Sequence, residues 1–143
     1  MNSSANIRRV LDTIPVKVEM SSGNVPSLLH EIRHALGLLL EGGVRTTIDL
    51  KRIPLAPGEE DHIIQMLGTG EIRAELQAFG RSDFTETAYP GVWLVTHFDV
   101  DGGQSARFIE VTHVPEMLCS HDDDISSGLK RLQEFLVPSG SAQ

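Results

Sequence analysis

The stretch from Glu71 to Thr112 limits the fold more than any other part of the sequence. Ile72, Ala74, Leu76 and Ala78 alternate with Glu71, Arg73, Glu75 and Gln77, the period of a half-buried strand. Gly80-Arg81-Ser82 turns the chain into a second strand, Asp83 to Ala88, which Tyr89-Pro90-Gly91 stops. Val92 to Asp99 is rich in β-formers. Asp101-Gly102-Gly103 is a hairpin signal, and Arg107 to Thr112 forms a fourth strand before Pro115. Strands joined by such short links run antiparallel, because parallel neighbours need a crossover of roughly a dozen residues or more.

Helical spacing appears on both sides of this run. A first helix opens at Pro26 or Ser27 and runs to about Glu41, with Leu28, Leu29, Ile32, Ala35, Leu36 and Leu39 on one side. Gly42-Gly43 ends it. Val44 to Leu50 alternates as a further strand. Gly58-Glu59-Glu60-Asp61 places acids in the first turn of a second helix, where the helix dipole favours them; that helix carries Ile63, Ile64 and Leu67 and stops at Gly68. An acidic loop, Asp122-Asp123-Asp124, precedes and caps a last helix from about Ile125 to Leu136. The expectation is a single α+β domain: an antiparallel sheet of about four to five strands with helices packed on one face. Residues 1–22 are an N-terminal extended segment, with a short extended piece from Ile14 to Val18; residues 23–137 are the domain, and residues 138–143 a polar tail.

Length and charge narrow the function classes. The chain has 143 residues and is 40% hydrophobic, enough for a core without disulfide or metal. Asp and Glu outnumber Lys and Arg by 20 to 12, for a net charge of -8. That surface repels nucleic acid and permits a basic protein partner. The one cysteine, Cys119, forms no internal disulfide, so a reducing compartment is expected. No apolar run reaches membrane-span length. Arg8-Arg9 is followed too soon by Asp12, Pro15 and Lys17 for an export signal, so the location expected is the cytoplasm.

One motif points to chemistry. His30-Glu31-Ile32-Arg33-His34 matches H-E-x-x-H, which on a helix sets two histidines on one face for zinc and a glutamate as general base. Gly37 extends the match, but Leu40 stands where the longer form has its third histidine. A catalytic zinc needs three protein ligands, and neither Glu41 nor Glu59 or Glu60 is well placed. His30, His34, Gly37 and Glu41 also lie opposite the leucine stripe, which makes them a solvated helix face. His30 and His34 are therefore weak metal candidates, and the motif is read as incidental.

The remaining signals are weaker. Cys119, His121 and His113 are close in sequence, yet nothing fixes a lowered thiol pKa. Cys119, in the apolar run Met117-Leu118-Cys119, is expected to be a small buried thiol. Asp99-Val100-Asp101-Gly102 has its glycine too early for a calcium loop, so a tight hairpin explains it better. No phosphate loop or dinucleotide fingerprint is present. The residues alone lead to an α+β domain without a catalytic constellation.

Six short stretches go further. Leu67-Gly68-Thr69-Gly70-Glu71-Ile72, Glu86-Thr87-Ala88-Tyr89-Pro90-Gly91-Val92-Trp93-Leu94-Val95 and Ile109-Glu110-Val111 with Val114-Pro115-Glu116 resemble the LG-x-GEV, ET-x-x-PGVW-x-V and IEV…P-E patterns of the HupH/HyaF hydrogenase expression proteins. Leu29-His30-Glu31-Ile32, Thr47-Ile48-Asp49-Leu50 and Pro54-Leu55 also fit, so the resemblance runs from about Gly23 to Leu118. It implies an accessory role, as scaffold or chaperone, in maturing a [NiFe]-hydrogenase subunit, with the small iron–sulfur subunit the expected partner and other maturation proteins further partners. It implies no catalytic residues and no cofactor.

A binding surface is expected on the sheet. If Ile72, Ala74, Leu76 and Ala78 sit under the helices, then Arg73, Glu86, Trp93 and Glu110 fall on or near the open face. Trp and Arg are over-represented among binding hot spots; a lone Trp in a small domain is also often simply packed. Two other readings compete: a zinc hydrolase built on His30, Glu31 and His34, and a weak metal-handling module. Uncovered sheet edges make a homodimer an expectation as well.

Overall fold

The computed structural model describes residues 23–138. They belong to two compact units, one ending at His113 and the other beginning at Val114. The first contains a five-stranded sheet. Its strands are β1 (Thr46–Asp49), β2 (Arg73–Gln77), β3 (Arg81–Glu86), β4 (Val92–Phe98) and β5 (Gln104–Val111). The sheet order is β1-β5-β4-β3-β2, and every pair is antiparallel. β2 through β5 form the meander that the turn residues dictate, and β1 returns to pair with β5 at the far edge.

Two helices cover one face. Helix α1 (Asn24–Gly42) begins two residues before the expected Pro26 and ends as expected at the glycine pair. Gly43 takes a left-handed conformation there, and its N–H bonds the carbonyls of Leu38 and Leu39. Val25, Leu28, Ile32, Ala35 and Leu39 are the buried stripe of α1. Helix α2 (Glu59–Leu67) buries Ile63 and Leu67. These side chains pack with Ile48, Leu50, Val92, Ile109 and Val111 in one core, with Leu94 against it. Across that face Arg107 donates to Thr96 Oγ1 (3.2 Å) and lies 3.6 Å from Glu60 of α2. Glu59 stands in the first turn of α2 as expected; it is buried, and its carboxylate accepts the N–H of Ala56.

The opposite face also buries large side chains. Directly paired residues of an antiparallel sheet share a face. Phe84 pairs with Val95, and Trp93 lies between Glu86 and Glu110 in the register. Phe84, Trp93 and Val95 are 0%, 2% and 0% exposed. This face is therefore not open at its centre. The register also corrects the expected orientation of β2. Ala74 pairs with Phe84 and Leu76 with Ser82, so these two share the face of Trp93 and not the helix side. Arg73 pairs with Thr85, which pairs with Leu94, and so it faces the helix side.

The second unit holds a short 3-10 turn (Glu116–Leu118) and helix α3 (Asp122–Phe135). The three aspartates form the first turn of α3 and not a loop before it; His121 stands at the N-cap without a side-chain capping bond. No residue of α3 is buried. Cys119 is exposed, not buried as expected, because the turn before α3 leaves its side chain in solvent. The expected extended piece at Ile14–Val18, and residues 139–143 of the polar tail, lie outside the described residues.

Candidate functional site

Two sequence stretches far apart in the chain are knitted together beside the helices. Gly70 N–H bonds the carbonyl of Glu86 (2.7 Å), Ala88 N–H that of Leu67 (2.9 Å), and Glu86 N–H that of Ile72 (2.9 Å). This backbone lacing clamps 67–72 onto 86–88. It is tight enough that a Cβ on Gly70 would lie 2.4 Å from the carbonyl oxygen of Thr87, so only glycine fits. The following turn is fixed from within. Thr87 is buried, and its Oγ1 accepts from the N–H of Tyr89 and donates to the Tyr89 carbonyl, both at 3.2 Å. Gly91 has φ +91 and lies against Leu36 and Leu39 of α1.

The lacing holds Tyr89 at the mouth of a groove between α1 and α2. Leu29, Ile32, Arg33 and Leu36 of α1, Met66 and Leu67 of α2, and Tyr89 line a space of about 280 Å³. The walls are apolar except for the Arg33 guanidinium and the Tyr89 hydroxyl. Such a groove takes apolar side chains, with one cation and one phenol to orient what enters. Sequence reasoning named Leu29, Ile32 and Leu36 only as core and missed Arg33, Met66 and Tyr89 as a set. The available signal was a leucine stripe wider than α1 needs to cover one sheet face.

The residues expected to bind a partner are only partly assembled. Glu86, Trp93 and Glu110 stand side by side across β3, β4 and β5. Trp93 is held inside, its indole N–H donating to the Thr112 carbonyl at 3.2 Å. Arg73 lies on the other face. On the same face as Trp93, Ser82 Oγ and His97 Nδ1 are 2.7 Å apart, and the His97 ring meets Phe84 and Phe108 edge-on. This is a cross-strand pair packed among aromatics.

His30, Glu31 and His34 lie on the exposed side of α1, turned from the core. Among the described residues no cluster of three or more His, Cys, Asp or Glu side chains joins them. Asp99 Oδ1 accepts the N–H groups of Asp101 and Gly103 at 3.0 and 2.9 Å, the hairpin expected at Asp99–Gly102. No helix among the described residues is long and apolar enough to cross a membrane.

The described residues thus define an α+β domain with an apolar groove between two helices and a laced sheet turn. The chain belongs to the HupH hydrogenase expression protein family, whose C-terminal conserved region matches residues 23–137. It is 27% identical over 118 residues to the hydrogenase expression/formation protein HoxQ of Cupriavidus necator, covering 82% of this chain and 42% of HoxQ. It is 28% identical over 88 residues to HoxQ of Azotobacter vinelandii, covering 62% of this chain and 31% of that protein. The chain thus spans less than half the length of these curated relatives. A solved structure, the hydrogenase expression protein HupH from Thiobacillus denitrificans, superposes with a TM-score of 0.77 at 41% identity, over 80% of this chain and 96% of that one.

Proposed function

We propose that the protein is a non-catalytic scaffold or chaperone that docks an apolar segment of an immature [NiFe]-hydrogenase subunit in the α1–α2 groove. The small iron–sulfur subunit is the first candidate. One observation carries this reading: the two stretches that best match the family patterns, 67–72 and 86–95, are laced together and hold Tyr89 at the groove mouth. Those patterns are then explained as the frame of a docking surface. The client presents apolar side chains to Leu29, Leu36 and Met66, and a carboxylate or carbonyl to Arg33. Glu86 and Glu110 serve as a secondary contact for a basic client residue. Trp93 acts as the buried post between them, and Arg73 takes no part. The exposed, unpaired thiol of Cys119 suits the reducing cytoplasm.

The test is direct binding. The purified chain is mixed with the small-subunit precursor, and separately with the large subunit, and complex formation is followed by calorimetry and co-elution. The reading expects a complex with the small subunit that weakens when Leu36 or Tyr89 is altered. Binding to the large subunit alone would reassign the client. Binding to neither would overturn the role.

A further inference from the structure

Gly37 is a residue that the fold of α1 does not call for. It lies inside a 19-residue helix, where glycine is less favourable than any residue but proline. Its backbone is not left-handed, and a Cβ built there would meet nothing within 4 Å among the described residues. Alanine or a larger side chain would fit and would hold the helix better. The packing of the described residues thus gives no reason for glycine. What glycine does provide is a stretch of α1 backbone that another chain can approach closely.

Gly37 borders the groove. Leu29, Arg33, Leu36 and Leu40 share one side of α1 at helical spacing, and Gly37 lies one turn from Arg33 on the flank of that side. Leu29, Arg33 and Leu36 wall the groove. Leu40 is 84% exposed and carries the same side on beyond it. From Leu29 to Leu40 this surface is about 16 Å long. Arg33 has no ion-pair partner among the described residues, so an acidic chain presents an unmatched cation here, complementary to a carboxylate. Both helical walls bond their backbone groups internally. An extended segment laid between them would bring N–H and C=O groups into an apolar space with nothing to pair them, whereas a helix brings its own already bonded. We propose that the occupant is an amphipathic helix of the client, packed along α1 with its backbone closest at Gly37. Its apolar side covers Leu29, Leu36, Leu40 and Met66, and an Asp or Glu meets Arg33. This deepens the docking reading above and rests on it.

The probes are two fluorescein-labelled peptides of the same composition, titrated with the full chain and followed by anisotropy. In one, leucines and a glutamate recur at i, i+3, i+4 and i+7; in the other the same residues alternate with polar ones. The helical pattern should bind and gain helical circular dichroism, and the alternating one should bind at least tenfold more weakly. Gly37→Leu should weaken binding of the helical peptide at least tenfold while its Tm stays at or above that of the wild type, a combination that a structural role for Gly37 would not give. Leu40→Glu, at an exposed position, should also weaken binding at an unchanged Tm. Arg33→Glu should weaken it, and a peptide with lysine in place of glutamate should restore it. Preferential binding of the alternating peptide overturns the helix, as does undiminished binding by Gly37→Leu or Leu40→Glu. Binding of neither peptide, by a chain that still forms a complex with a hydrogenase subunit, overturns the helix and leaves the docking reading in place. The docking reading fails by a different result, no complex with either subunit.

Discussion

Gly70 and Trp93 show how much can depend on single residues here. A methyl group on Gly70 meets the Thr87 carbonyl at a distance no real contact tolerates, so the laced turn must move to admit it. Gly70→Ala is expected to cost about 2 kcal/mol, read as a lower midpoint in urea unfolding. An unchanged midpoint would mean that the lacing is looser than described. Trp93, the only tryptophan, is 2% exposed and bonded to Thr112. Its emission should be blue-shifted and resist iodide quenching. Trp93→Phe should destabilise by about 1–2 kcal/mol, because the Thr112 carbonyl loses a buried donor. His30→Ala with His34→Ala, on the exposed face of α1, should change stability by no more than about 0.5 kcal/mol. A larger loss would show that the pair has a structural role.

Among the elements, the local ones were legible and the distant ones were not. The β2–β5 meander could be read because alternation and turn residues act over a few positions: Asp99 and Gly102 make one hairpin, and Tyr89-Pro90-Gly91 another. The helices could be read from leucine spacing, with ends off by a few residues where the aspartates of α3 join its first turn. The facing of β2 could not. Alternation sorts Arg73 and Ala74 onto different faces but does not say which face meets the helices. The usual tie-breaker, that the apolar set goes under the helices, fails when Phe84, Trp93 and Val95 are buried on the other side too. The groove was equally hidden, since it joins α1, α2 and the turn at Tyr89 from positions up to sixty residues apart. Its elements predict a graded response. Arg33→Glu should weaken client binding several-fold without touching stability, because Arg33 is exposed on α1. Equal binding by this variant would show that Arg33, the one cation among the described residues lining the groove, is not used.

For the molecule as a whole, an acidic chain with a net charge of -8 places its family patterns around an apolar groove, while its most conspicuous motif, the H-E-x-x-H at His30, points away from the core. On the proposed reading, function rests on surface shape. The most direct test is capture from hydrogenase-expressing cells, with the chain as bait and Leu36→Glu, checked for native Trp93 emission, as the groove variant. The account predicts that wild type and the His30→Ala, His34→Ala variant both recover an immature hydrogenase subunit, and that Leu36→Glu recovers at least about tenfold less, a loss of roughly 1.4 kcal/mol. Recovery of no hydrogenase component by the wild-type chain, or undiminished recovery by the groove variant, would contradict it.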